Sequence, residues 1–189
     1  MALEATFRDL SVCLQQLHDA LNALQVTLGD KPPEGESALA DGVETVVLDM
    51  MGTLHEAQKA ALDARRAVGH PVDLDRARRA LAICQQRFHQ IEQQSAADLM
   101  SYDKLRELAR LGNERRRGWL PWANSVKQGI EECRQPQEAV SLALASCWQE
   151  LAERLGTMSI SMQSTNVGQQ ITLPRSRARD EDLEAEGVT

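Results

Sequence analysis

Leu3, Phe7, Leu10, Leu14, Leu17, Leu21, Leu24 and Leu28 follow one another at alternating steps of four and three, an unbroken heptad row. Such a row runs along one side of a helix and has to be covered by other helices. Asp9, Gln15, Gln16, Asp19, Asn22 and Gln25 fall on the remaining faces. The pattern predicts a helix over residues 2–28, closed by Gly29, a residue suited to a C-terminal cap. Pro32, Pro33 and Gly35 then interrupt the pattern and predict a loop.

A second helix is expected to begin near residues 36–40 and to run to about residue 68. Its apolar side, Leu39, Val43, Val46, Val47, Met50, Met51, Leu54, Ala57, Ala61 and Leu62, is wider than a single row and suits burial against more than one neighbour. Gly52 weakens it by ~1 kcal/mol relative to alanine. Gly69, His70 and Pro71 end it, which makes the first two helices an antiparallel hairpin.

Asp73 or Asp75 can cap a third helix, whose row Leu74, Ala77, Leu81, Cys84, Phe88, Ile91 repeats the heptad. From Ile91 the row continues through Ser95, Leu99, Tyr102, Leu105 and Leu108 at steps of four, four, three, three and three. The four-residue slip is a stutter, which rotates the buried face without ending the helix. One long helix over 73–116 is therefore expected, bent near 95–102 and roughly 65 Å long at 1.5 Å per residue. It outruns the first two helices, so its second half has to pack on something later in the chain.

Gly118 and Pro121 predict a restart, with Trp122, Val126, Ile130 and Cys133 on one face of a fourth helix. Pro136 opens a fifth to about residue 155, with Val140, Leu144, Cys147, Trp148, Leu151 and Leu155 inside and Gly156 as its cap. Beyond it, Met158, Ile160 and Met162 alternate with polar residues, a period of two that predicts an extended segment. Residues 174–189 are basic and then acidic, the composition of a disordered tail. The expectation is an all-α, elongated, coiled-coil-like antiparallel bundle of about five helices with a long third helix and an extended C-terminal tail. Its divisions are 1–156 for the bundle, 157–173 for the extended segment and 174–189 for the tail.

Composition agrees: aromatic residues are only 3% of the chain, and Leu, Ala, Gln, Glu and Arg outweigh the β-branched residues that sheets favour. Charge adds a bias along the chain. Residues 1–70 hold 5 Lys/Arg and 11 Asp/Glu, residues 71–134 hold 12 and 9, and residues 135–189 hold 4 and 8. Either these segments complement one another inside the bundle, or a basic face is kept for an acidic partner. The net charge of −7 argues against a surface that grips nucleic acid throughout. No apolar stretch approaches the ~20 residues of a membrane span, and the start lacks the pattern of a signal peptide. Cys13, Cys84, Cys133 and Cys147 have no C-x-x-C spacing and read as small buried hydrophobes in a reducing compartment, so a cytoplasmic protein is expected.

Candidate chemistry is sparse. None of His18, His55, His70 and His89 follows a Glu by three residues, as carboxylate-bridged metal sites in bundles require. Neither metal nor cofactor is expected. Arg65 and His70 have an Arg-x4-His spacing found in some small helical ribonucleases, but Gly69 and Pro71 put this His in a turn. No Gly-rich phosphate loop is present, and no enzyme is expected.

Two stretches suggest binding instead. In the first, Arg115, Arg116 and Arg117 stand beside Trp119 and Trp122. Either the rings anchor a partner, in a protein pocket or at a membrane interface, or they are core residues closing a corner with the arginines solvated. The second is the uncharged segment 158–173, in which Ile160, Met162, Val167 and Ile171 are candidates for docking on a partner or for strapping back over the bundle. The function these features point to is a non-enzymatic protein–protein interaction adaptor, or an assembly subunit of a larger complex, possessing protein partners and able to self-associate. The alternative is a helical nucleic-acid-associated regulator or nuclease using residues 115–117.

Overall fold

The computed structural model describes residues 2–32, 38–69, 71–115 and 118–167, with side chains described between residues 3 and 157 of those ranges. It is an all-α bundle. The elements are α1 (Ala2–Gly29), α2 (Ala38–Ala67), α3 (Leu74–Gln94), a π-helical turn (Ser95–Leu99), α4 (Tyr102–Glu114), α5 (Trp119–Glu132) and α6 (Arg134–Val167). The chain divides into two units, residues 1–155 and 156–189; the packing below belongs to the first.

The heptad row of α1 is the centre of the core: Phe7, Leu10, Leu14, Leu17 and Leu21 are wholly buried, and Leu3, Leu24 and Leu28 nearly so. Helix α2 answers with Ala40, Val43, Val47, Met50, Leu54, Ala57, Ala61 and Ala64, a second strict three-and-four row. The wide stripe expected for α2 is thus narrower than its apolar content. Val46 and Met51 only flank the core, while Leu62 is 42% exposed. Gln58 Nε2 donates to the Leu14 carbonyl and Lys31 pairs with Asp41, which fixes α1 and α2 antiparallel.

Where α2 meets α3 the buried positions are small: Ala57, Ala60, Ala61, Ala64 and Ala67 on one helix, Ala77 and Ala80 on the other. Short side chains let the two backbones approach closely. Ion pairs Arg76–Asp63 at 2.5 Å and Arg87–Glu56 at 2.7 Å fasten the outer edge of this hairpin. Of the two possible caps, Asp73 is the one used; its carboxylate accepts from the Arg76 amide at 2.9 Å.

The long third helix is realised as two α-helices joined through the π-helical turn. The slip in the heptad is answered by one wide turn, closed by the Met100 amide donating to the Ser95 carbonyl, which keeps both Ser95 and Leu99 buried. Ser101 is extended (ψ 135°) and caps α4 by accepting from the Lys104 amide. The rotation that buries Ser95 and Leu99 turns Tyr102 out. It is 78% exposed, against its expected place in the row.

The last two helices do not only cover the far end of the third. Helix α5 packs on α4 and on α1, while α6 returns antiparallel along α3, with Gln137 beside Ser95 and Trp148 beside Gln85. Four antiparallel runs result: α1, α2, α3 with α4, and α5 with α6. The expected stop at Gly156 and extended segment at 158–162 are corrected, because α6 continues unbroken through both to Val167. Met158 and Met162 are four residues apart, a spacing a helix accommodates as readily as alternation does. The charged tail over 174–189 lies outside the described residues.

Candidate functional site

The basic and aromatic corner between α4 and α5 is a packing device. Gly118 adopts φ +86°, a left-handed conformation that glycine reaches without a Cβ penalty, and so reverses the chain between the helices. Trp119 and Trp122 then turn inward, 2% and 6% exposed, with their rings edge to face at 5.2 Å. Trp122 Nε1 donates to the Thr27 carbonyl at 2.9 Å, tying α5 to the last turn of α1. Arg115 lies 5.4 Å over the Trp119 ring. The two tryptophans are therefore core residues and present no ring to a partner. Arg116, Arg117 and Ile171 lie outside the described residues. Ile160, Met162 and Val167 sit on the helical backbone of α6, with side chains outside the described set.

Replacing Trp122 by phenylalanine should cost about 2 kcal/mol, because the Thr27 carbonyl loses its donor in a buried corner and the smaller ring leaves a gap. A shift of the urea midpoint, read by circular dichroism, measures it.

One surface feature that the sequence patterns did not single out is a groove of about 230 Å³ between α3 and α6. Phe88, Leu144 and Trp148 give it an apolar lining, and His89 and Glu92 stand on its α3 side. Trp148 Nε1 donates to Gln85 Oε1 at 2.7 Å, so the half-buried indole is held in place across the two helices. At one end the buried Gln137 amide donates to Ser95 Oγ at 2.9 Å. His89 Nδ1 lies 3.5 Å from Glu92 Oε2 and its Nε2 lies 3.0 Å from the Gln93 side-chain nitrogen.

Beside this groove, α6 is unusual. Residues 139–149 carry no charge in a chain that is 26% charged, yet Ser141, Leu142, Ala145, Ser146 and Gln149 face solvent. Leu142, off the buried row of Val140, Leu144, Cys147 and Leu151, is 71% exposed. The absence of charge along an exposed helix side was the signal available for finding it.

Cys84, Cys133 and Cys147 lie in the core, and Cys13 stands at its edge. Burial pushes Cys84 and Cys133 up to about 12 and Cys147 to about 11; a hydrogen bond from Thr6 opposes the shift at Cys147. Half-buried Cys13 is also raised, by burial first and Asp9 second. Among the described residues no group of three or more His, Cys, Asp or Glu is placed to hold a metal ion, and no helix is long and apolar enough to cross a membrane.

Comparison with known protein families, with curated proteins and with solved structures finds no match.

Proposed function

We propose that the chain is a non-enzymatic adaptor or assembly subunit that binds a helix of another protein against α6 and the adjoining groove. The observation that carries this is the uncharged outer side of α6, where Leu142 is exposed, together with the groove that Ser141 and Ala145 line with Phe88 and Trp148. Interface centres are depleted of charge and rich in aromatic anchors, and small residues such as Ser141, Ala145 and Ser146 let a helix approach closely. Four free cysteines fit a reducing, cytoplasmic setting.

Cross-linked complexes recovered from the native source on the intact chain should contain a second protein in fixed ratio. Leu142→Asp, an exposed change that leaves helicity and melting intact, should lose that protein. Equal recovery by the variant, or recovery of the chain alone, would overturn the assignment.

A further inference from the structure

Four of the nine large apolar side chains left exposed among the described residues belong to one side of the α1–α2 hairpin: Val12 at 51%, Val26 at 60%, Leu48 at 46% and Leu62 at 42%. They are not scattered. On α1, Val12, Asp19 and Val26 recur every seven residues on the outermost row, opposite the buried leucines; on α2, Leu48, His55 and Leu62 recur every seven residues on an exposed row beside the buried one. His55 and Leu62 flank Gln58, which reaches across to the Leu14 carbonyl, so their row lies toward α1. The contacts to α3, through Glu56 and Asp63, leave from the other side of α2.

The hairpin register set by Gln58 against Leu14 and Lys31 against Asp41 fixes which residues stand level. Within about one helical turn, Val12 is level with Leu62, Asp19 with His55, and Val26 with Leu48. The strip therefore reads apolar, acid with imidazole, apolar, and it reads the same from either end. A patch that contacts its own copy about a two-fold axis must be self-complementary, with residue i meeting j and j meeting i. This strip meets that condition for a two-fold in the plane of the face. An axis along the helices sets Val12 on Leu62, Val26 on Leu48 and Asp19 on His55 of the second copy. An axis across them would set Val12 on Val26 and Leu48 on Leu62 but also Asp19 on Asp19, so the charges select the axis along the helices. A foreign partner would place no such demand on the strip.

We infer that the α1–α2 face binds a second copy of this chain, forming a two-fold dimer through Val12, Val26, Leu48 and Leu62 around an Asp19–His55 centre. This adds self-association to the assembly role proposed above and uses a face separate from α6. It rests on that role only in that a dimer would carry two α6 surfaces.

Sedimentation equilibrium of the purified intact chain tests it. The expected mass is twice the 21.0 kDa of one chain. Leu62→Asp should weaken the dimer by about a hundredfold and His55→Asp, which brings four carboxylates together, by about tenfold. Asp19→Lys with His55→Asp restores acid–base alternation and should return the dissociation constant to within about threefold of the parent. All these sites are exposed, and circular dichroism confirms folding. A chain that stays monomeric at about 100 µM, a dimer indifferent to Leu62→Asp, or a double variant no tighter than His55→Asp would overturn the inference. A monomer that still recovers its other protein through Leu142 would leave the adaptor proposal standing, and a dimer without one would sink the adaptor alone.

Discussion

Between pH 8 and pH 10 the bundle should lose roughly 4 kcal/mol of stability, about 1 kcal/mol or slightly more for each buried thiol. Cys84 and Cys133 titrate near 12 in the fold and Cys147 near 11, against an ordinary value of 9.0, and burial is the largest cause at each. Below pH 9 both folded and unfolded chains hold these protons, and their contribution to stability is fully present. Above it the unfolded chain releases them while the fold retains them, so stability falls with rising pH until the folded thiols ionise near 11 to 12. Urea midpoints at pH 8 and pH 10 measure the loss. Cys84→Ala should reduce the pH-dependent part by about a third, whatever it does to stability at pH 8; an unchanged difference would mean that other groups carry it.

Gly112→Val should destabilise the bundle by about 3 kcal/mol. Its Cβ would stand 2.9 Å from the Leu120 Cα and 3.3 Å from the Ala123 Cβ, where α4 and α5 cross. The obstruction is backbone, so relief requires the two helices to separate and open the tryptophan corner between them. Gly42 provides the contrast. Nothing lies within 4 Å of the Cβ it would gain, and Gly42→Ala should stabilise the chain by about 0.5–1 kcal/mol through helix propensity. Thermal melts of the two variants should move in opposite directions.

How far the fold was legible depended on whether one helix carried its own pattern. The α1 row was readable residue by residue because all eight positions are large and evenly spaced. Helix α2 was harder, since half of its buried row is alanine, which is found on any helical face, while Val46, Met51 and Leu62 drew attention to positions the core does not take up. The heptad slip marked the right place for a change after Ile91. It left open whether a bend or a break would follow, a choice decided by Ser101 serving as a cap. Gly156 and the alternating methionines misled together: a glycine inside a helix is tolerated, and four-residue spacing fits a helix too. Of the candidate site, the tryptophan corner was visible as composition but not as burial, because only the approach of Thr27 shows where the indoles point. The groove between α3 and α6 depends on residues some sixty positions apart, and a one-dimensional pattern gives no such pairing.

The neighbour-to-neighbour layout of the helices also has a kinetic side. The α1–α2 and α2–α3 pairings, and that of α4 with α5, join segments adjacent in the chain, so each closes a short loop at small entropic cost. Among the described residues, the return of α5 and α6 to α1 spans most of the sequence. A topology of this kind belongs with the fast-folding helical proteins. The slow event is then the landing of those last helices on the leucine row, which until that moment remains half uncovered and is the surface by which a partly folded chain would aggregate.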